Sequence, residues 1–81
     1  MTEEIISQWI VDTIASYLDV SSSEIDPLQP LANYGIDSVH ALSLCGDIEE
    51  KFGFYVDPTL AWDYPTPNAI ASFIAGRSLS S

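Results

Sequence analysis

The chain has 81 residues, of which 47% are hydrophobic and 17% charged, and 12 Asp and Glu residues against 2 Lys and Arg give a net charge of −10. The length allows one domain, since domains typically run to about 100–150 residues, and the apolar share is too high for a disordered segment. Only Lys51 and Arg77 could neutralise phosphates, which excludes nucleic acid and anionic membranes as partners and favours proteins with basic surfaces.

The first predicted element is an amphipathic helix over residues 3–18. Thr2 is a good N-cap residue, and Glu3 and Glu4 place negative charge in the first turn, where it suits the helix dipole. Apolar and aromatic residues recur at spacings of three and four, which predicts one buried face. The predicted face consists of Ile6, Trp9, Ile10, Thr13, Ile14 and Tyr17.

A long segment without a continuous helix follows at residues 19–37, because Pro27 and Pro30 interrupt it. Loops of this length are uncommon in compact domains unless they have a function. The pattern predicts one short capped turn at Ser21–Glu24, and Gly35 offers a left-handed backbone just before the next helix. Its apolar residues are predicted to pack across the bundle, namely Val20, Ile25, Leu28, Leu31, Tyr34 and Ile36.

The second long helix is predicted over residues 38–52. Asp37 is its N-cap, and Gly53 ends it as a C′ residue. Gly46 is unexpected in its interior, where glycine costs about 1 kcal/mol relative to alanine. The predicted buried stripe comprises Ala41, Leu44, Cys45, Ile48 and Phe52, widened near the start by Val39 and Leu42.

Two further helices are predicted in the last third of the chain. After an extended link at residues 54–56, Asp57-Pro58 is typical of the N-cap and first position of a brief helix through Trp62. The same signature at Thr66-Pro67 opens a last helix that stops at Gly76. This helix is predicted to bury Ile70, Phe73 and Ile74.

These elements predict an all-α bundle formed by residues 1–76, with residues 77–81 as a frayed polar tail. No apolar run approaches the ~20 residues that span a bilayer, and the N-terminus lacks the basic and apolar regions of a secretory signal. The single cysteine, Cys45, has no partner for an internal disulfide, so we expect a reducing, cytoplasmic setting.

Metal and catalytic sites find little support in the sequence. His40 and Cys45 have no further His or Cys to complete a zinc site, and the acidic residues lack the spacing of a calcium loop. Cys45 lies on the apolar stripe and is interpreted as a packing residue. A small hydrolase using Ser38 is an alternative, but His40 lies roughly 200° around the helix from Ser38 and is better placed as an exposed contact residue than as a base.

Ser38 is singled out by its position. It begins a helix directly after the capping Asp37, so its hydroxyl should project outward where the loop meets the helix. The N-terminus of a helix presents free N–H groups and positive partial charge, which favour an attached phosphate. Taken alone, however, the Asp-Ser dipeptide indicates no more than a helix start.

The wider sequence resembles acyl carrier proteins. Residues 35–39, Gly-Ile-Asp-Ser-Val, resemble the Gly-x-Asp-Ser-Leu signature in which the serine carries 4′-phosphopantetheine. Residues 26–34 resemble the loop that leads into that motif in the family. Residues 48–53 resemble the end of the family's second helix. Residues 62–67, Trp-Asp-Tyr-Pro-Thr-Pro, are similar to the Phe-Asp-Tyr-Pro-Thr stretch of polyketide synthase carrier domains. The resemblance covers roughly residues 3–76.

The resemblance implies a four-helix acyl-carrier-like bundle, with a long loop between the first two long helices and a short third helix. It implies that a phosphopantetheinyl transferase moves 4′-phosphopantetheine from coenzyme A to Ser38, with Gly35 and Asp37 completing the motif. The arm would hold acyl groups as thioesters for partner enzymes such as an adenylating ligase, an acyltransferase or a ketosynthase. The chain itself, expected to be a monomer, would catalyse nothing.

Several positions depart from the family pattern. Val39 replaces the usual Leu after the serine. His40 and Ser43 stand where fatty-acid-type carriers often have acidic residues. Gly46 stands where those carriers often have a bulkier apolar side chain. These departures favour a polyketide-type system, and Asp37 favours acyl over peptidyl cargo. We call the predicted partner-facing residues of this helix the docking positions: Val39, His40, Ser43, Gly46, Asp47 and Glu50. The alternative function is an unmodified acidic helical adaptor that binds a basic partner.

Overall fold

The computed structural model describes residues 2–80, except for the side chains of residues 78–80. Over this range it is all-helical, without a strand, as predicted. The helices are α1 (Glu3–Leu18), α2 (Ser38–Phe52), α3 (Leu60–Asp63) and α4 (Pro67–Ser80), with short 3₁₀ helices at Ser22–Glu24 and Leu31–Tyr34. No helix within the described residues is both long enough and apolar enough to cross a membrane.

The core lies between α1, α2 and α4, and the most extensive helix–helix packing joins α1 to α4. Branched aliphatic side chains fill it, as expected for a bundle whose helices each bury one face. The aliphatic side chains with almost no exposed surface include Ile6, Ile10, Ile14, Leu44, Ile48, Ile70 and Ile74.

The start of α1, both ends of α2 and the start of α4 confirm the predicted caps, whereas the predicted N-cap Asp57 is wrong because α3 has Thr59 as its N-cap. The Thr2 hydroxyl accepts a hydrogen bond from the Ile5 backbone N–H at 3.2 Å, and the Thr66 hydroxyl accepts one from Ala69 at 3.1 Å. Gly53 closes α2 with a left-handed backbone, φ 76°. These caps satisfy backbone groups that a helix end leaves unpaired.

The buried face of α1 is broader than its sequence pattern predicts. Trp9 and Tyr17 are only half-buried, and Val11 and Ala15 are buried although the predicted face omitted them. The ring of Trp9 packs edge-on against Phe52, with centroids 5.4 Å apart. Large amphipathic rings at the edge of a helix face can cover the core while their polar atoms reach water, which leaves smaller residues to fill the centre.

Part of the predicted loop packing is wrong. Ile25 and Leu31 are buried as expected, whereas Val20 is 39% and Leu28 is 70% exposed. The predicted widening of the α2 stripe is also wrong, because Val39 is 67% exposed and its neighbour Leu42 is 54% exposed. The buried stripe of α2 is therefore narrow at its start, since apolar residues there lie on the solvent side.

Helices α3 and α4 differ from their predicted bounds. α3 begins at Leu60 because the Asp57 carboxylate accepts hydrogen bonds from the Thr59 N–H and hydroxyl, which form a turn before the helix. α4 continues through Gly76 to Ser80, so the predicted stop at Gly76 is wrong. The frayed tail was predicted for residues 77–81, and of these the side chains of 78–80 and all of Ser81 lie outside the described part.

Two backbone hydrogen bonds attach the long loop to the C-terminal half of the chain. The Leu31 N–H donates to the Pro65 carbonyl at 2.8 Å, and the Asn68 N–H donates to the Pro27 carbonyl at 2.9 Å. The loop also closes on itself, because the Asp26 N–H donates to the Tyr34 hydroxyl at 2.8 Å. The loop is thus a packed element that brings the start of α2 beside α3.

Replacing Gly46, inside α2, and Gly53, at the C-terminal end of α2, by alanine should change the free energy of unfolding in opposite directions. Gly46 lies inside α2, and an added Cβ would meet no atom within 4 Å, so Gly46→Ala should raise the free energy of unfolding by about 1 kcal/mol. Gly53 has φ 76°, so Gly53→Ala should lower that free energy by roughly 1–2 kcal/mol. Urea denaturation followed by circular dichroism measures both. A stabilising Gly53→Ala would contradict the assigned backbone.

Candidate functional site

Ser38 is the first residue of α2 and is exposed. Directly before it, Asp37 has an extended backbone, and its carboxylate accepts a hydrogen bond from the His40 N–H at 3.0 Å. The His40 ring Nδ1 lies 2.9 Å from the same carboxylate oxygen. The backbone N–H of His40, followed by its ring, lowers the pKa of the Asp37 carboxyl below its usual value. Asp37 is therefore a charged N-cap, and its hydrogen bonds to His40 hold the backbone directly before Ser38 in place.

Gly35 makes the turn that leads into this junction. Its backbone is left-handed, φ 76°, a conformation that glycine adopts without the cost paid by other residues. The Gly35 N–H donates to the Ala32 carbonyl at 3.2 Å, and the next N–H, of Ile36, donates to the Leu31 carbonyl at 3.4 Å. The turn ends the second 3₁₀ helix and allows half-buried Ile36 to pack on the core.

The His40 ring contacts α1 as well as the cap of α2. This ring lies 5.8 Å from the Tyr17 ring of α1, centroid to centroid. The Tyr17 hydroxyl in turn donates a hydrogen bond to the Asp47 carboxylate of α2. Burial, and then this bond to Asp47, raise the pKa of Tyr17 above its ordinary value. His40 contacts Asp37 and Tyr17, so the arrangement does not form the serine–base pair that a hydrolase needs.

Cys45 is buried, as predicted for a packing residue. Its Sγ lies 3.7 Å from the Asp57 carbonyl oxygen, and burial raises the pKa of the thiol. A thiol in this state is mainly protonated and weakly nucleophilic. Among the described residues no group of three or more His, Cys, Asp and Glu side chains could hold a metal ion.

A small apolar cavity of about 150 Å³ opens beside Ser38. Ser38 and Asp37 stand at its polar edge, and the rest of the lining is contributed by the long loop, by α2 and by the segment from α3 to Pro65. We call this cavity the Ser38 groove. Its lining residues are Pro30, Leu31, Ala32, Ile36, Asp37, Ser38, Ala41, Ala61, Trp62 and Pro65.

The docking positions fall into two groups in the structure. Val39, Ser43, Gly46 and Glu50 are exposed, whereas His40 and Asp47 are half-buried and engaged with Asp37 and Tyr17. Two large exposed apolar side chains near Ser38 were not predicted as exposed from the sequence, namely Leu42 and Trp62, the latter 74% exposed. The signal that could have identified Trp62 as a site residue is its place at the start of residues 62–67, the stretch that resembles carrier domains.

Fold and site together define a class of protein, a helical bundle that presents one serine at a capped helix start. The family model described as the phosphopantetheine attachment site matches residues 8–74, and the chain belongs to this family. Proteins of the family carry 4′-phosphopantetheine covalently. The residues present fit that group, because an exposed hydroxyl stands at a helix N-terminus and adjoins an apolar groove.

Curated relatives come from polyketide synthases. One of them, from the phenolphthiocerol/phthiocerol polyketide synthase of Mycobacterium tuberculosis, is 33% identical over 70 residues, covering 86% of this chain. The 6-methylsalicylic acid synthase of Aspergillus terreus is 39% identical over 62 residues, covering 75% of this chain. The chain spans 4% and 3% of the lengths of these two proteins.

Solved structures of carrier proteins match over nearly the whole chain. A free-standing peptidyl carrier protein from Acinetobacter baumannii is 38% identical with a TM-score of 0.91, and the match covers 94% of this chain and 95% of that one. An acyl carrier protein from Anabaena sp. PCC 7120, with a variant phosphopantetheinylation-site sequence, is 33% identical with a TM-score of 0.86. This match covers 94% of this chain and 86% of that one. The predicted four-helix carrier fold is confirmed.

The hydrogen bond from Tyr17 to Asp47 should give stability a dependence on alkaline pH. Because the folded-state pKa of Tyr17 is raised, folded protein keeps this proton at pH values where the unfolded chain loses it. This contribution is fully present below the ordinary tyrosine pKa of about 10 and is lost as the pH rises above it. Tyr17→Phe should lower the free energy of unfolding by about 1 kcal/mol at neutral pH and flatten the alkaline loss.

Urea denaturation at a series of pH values measures this effect. Tyr55→Phe is the matched control, because the Tyr55 ring is 69% exposed, and it should retain the wild-type profile. If Tyr17→Phe and Tyr55→Phe both lose stability with rising pH as the wild-type protein does, the hydrogen bond between Tyr17 and Asp47 is not the cause of the alkaline loss of stability.

Proposed function

We propose that the chain is a non-catalytic acyl carrier that works in polyketide or related lipid biosynthesis, with Ser38 as its attachment site. The observation that carries this proposal is the exposed Ser38 at the capped start of α2, inside a chain of the phosphopantetheine attachment family. A phosphopantetheinyl transferase would supply the arm from coenzyme A. The arm supplies a terminal thiol, to which acyl groups can be linked as thioesters.

Each residue of the motif has a separate task in this function. The Ser38 Oγ bonds to phosphorus as the pyrophosphate bond of coenzyme A breaks, and adenosine 3′,5′-bisphosphate leaves. The hydroxyl proton passes to a base of the transferase, since His40 is engaged with Asp37. Asp37 holds the first turn of α2, and Gly35 makes the turn that exposes the junction.

Partners of the acyl-processing kind follow from the same proposal. The curated relatives support a place beside an acyltransferase or ketosynthase, and an adenylating ligase is a further loading enzyme. Asp37 favours acyl cargo, although a peptidyl carrier protein is among the similar structures. The free cysteine, buried in the core, supports a reducing, cytoplasmic setting, and we propose that the chain acts there as a monomer.

Attachment at Ser38 is tested by mass spectrometry after incubation with coenzyme A and a broad-range phosphopantetheinyl transferase. The wild-type chain should gain the mass of one phosphopantetheine, and Ser38→Ala should lose this gain while its circular dichroism spectrum is unchanged. Ser43→Ala, one turn and a half along α2, is the control and should be modified normally. No gain in the wild-type chain would favour the unmodified adaptor, and labelling at Ser43 would refute the motif assignment.

We further propose that partners dock on the docking positions mainly through apolar contact near the arm. Val39 offers an apolar side chain in the first turn, and Gly46 allows a close approach because no side chain stands over it. Of the carboxylates, Asp47 is already bonded to Tyr17, which leaves Glu50 more available for ion pairing. Exposed ion pairs are typically worth about 0.2–1 kcal/mol, whereas a buried interface anchor can exceed about 2 kcal/mol.

Four single variants compare the apolar and charged contributions. Val39→Asp and Gly46→Glu should impair acyl loading by a cognate enzyme more than Asp47→Asn or Glu50→Gln, with circular dichroism showing that each folds. Loading rates are measured at low and high salt. Dominant losses in the two charge-removing variants, together with loss of loading at high salt, would refute apolar docking in favour of a charge-dominated interface.

A further inference from the structure

A network of side chains joins α1 to the residue that precedes Ser38. The Tyr17 hydroxyl, near the end of α1, donates a hydrogen bond to the Asp47 carboxylate of α2. The Tyr17 ring lies 5.8 Å from the His40 ring, a centroid distance typical of packed aromatic pairs. The His40 Nδ1 in turn lies 2.9 Å from the Asp37 carboxylate. We call these residues the α1–α2 network: Asp47, Tyr17, His40 and Asp37.

The closed N-cap of α2 competes with solvent. The Asp37 side chain is 63% exposed, so water can replace the His40 N–H at its carboxylate. Hydrogen bonds open to water contribute little net free energy, and helix ends open more readily than helix centres. Contact with the Tyr17 ring restricts the conformers of the His40 side chain, which reduces the entropy lost when the ring also contacts Asp37. The α1–α2 network therefore favours the closed cap.

We infer that Tyr17 is a positioning residue for phosphopantetheine attachment, because its ring holds His40 in the contact that keeps the Asp37 cap closed. This inference rests on the proposed attachment at Ser38. When the cap opens, Ser38 leaves the first turn of α2, and the transferase then has to bind the closed fraction of the carrier. Apparent affinity falls in proportion to the fraction that is competent to bind. Loss of the Tyr17 ring should therefore raise the KM for the carrier and leave kcat unchanged.

The hydroxyl and the ring of Tyr17 have separate parts in this arrangement. The hydrogen bond to Asp47 fixes where the ring stands, whereas the ring itself makes the contact with His40. Tyr17→Phe removes the hydrogen bond and keeps the ring, so it should retain part of the positioning effect. Tyr17→Leu removes both. The KM for the carrier should thus increase from the wild-type chain through Tyr17→Phe to Tyr17→Leu.

Steady-state kinetics of a broad-range phosphopantetheinyl transferase test this order, with the carrier as the varied substrate and coenzyme A at saturation. Tyr17→Leu should raise the KM for the carrier by about two- to fivefold, as expected when a hydrogen bond of the cap is weakened. Circular dichroism shows whether each variant is folded. An unchanged KM for Tyr17→Leu, or a lower kcat at unchanged KM, overturns the inference.

Trp9→Leu is the matched control for a general loss of stability. Trp9 is also a half-buried aromatic residue of α1, but its ring packs against Phe52, at the end of α2 farthest from Ser38. Trp9→Leu should lower the free energy of unfolding and leave the KM for the carrier unchanged. If Trp9→Leu raises KM as much as Tyr17→Leu does, lost stability is the cause in both variants, and the inference is overturned.

A double variant tests whether Tyr17 acts through His40. His40→Ala should itself raise the KM for the carrier, since it removes the ring from Asp37. Adding Tyr17→Leu to His40→Ala should cause no further rise, because the effects of residues that act through one shared contact do not add. A further rise by the factor seen in the wild-type background means that Tyr17 acts by another route, which overturns the inference.

Hydrogen exchange at the His40 amide measures the cap directly, without the transferase. In Tyr17→Phe this amide should exchange faster than in the wild-type protein, relative to amides in the middle of α2. Equal rates overturn the inference even if Tyr17→Leu fails to fold. Absence of a mass gain in the wild-type chain refutes the proposed attachment and the inference that depends on it. A normal mass gain with no effect of Tyr17 on KM overturns the inference alone and leaves attachment at Ser38 intact.

Discussion

The attachment of the long loop to the C-terminal half of the chain is the constraint on which the site depends. The bonds from Leu31 to the Pro65 carbonyl and from Asn68 to the Pro27 carbonyl hold the loop across the bundle, and the buried side chains of Ile25 and Leu31 reinforce them. Burying a Leu or Ile side chain stabilises by about 1.5–3 kcal/mol, so these two residues favour the packed loop against part of the entropy lost when the segment is ordered. Without them the start of α2 would have no neighbour from α3.

The site follows from this constraint together with the cap of α2. The Asp37 carboxylate fixes where the helix begins, and the loop fixes what lies beside that beginning. Ser38 therefore lines an apolar groove, while the His40 ring lies against Tyr17, whose hydroxyl donates a hydrogen bond to Asp47. A carrier needs this combination of a fixed helix start and an exposed hydroxyl, because many partner enzymes must reach the same point.

Local signals predicted most of the fold, and long-range packing accounts for the errors. The approximate bounds predicted for α1 and α2 agree with the structure, because caps, periodicity and Gly53 act within a few positions of the chain. The exposure of Leu42 and Leu28 could not be predicted, since it depends on which elements lie opposite them. Ser38 was predicted as the attachment site from its motif, whereas the Ser38 groove combines residues from distant segments and has no local signature. The network of Tyr17 and Asp47 is likewise invisible in sequence, as its members are thirty positions apart.

Native-state hydrogen exchange at the amides of Leu31 and Asn68 tests the central claim, that the long loop is a fixed part of the fold that positions Ser38. The account predicts that both amides exchange as slowly as those in the middle of α1, because they open only with the bundle as a whole. NMR resolves each amide separately in the unmodified protein. Exchange of either amide at the rate of an unstructured peptide, while α1 remains protected, would contradict the account.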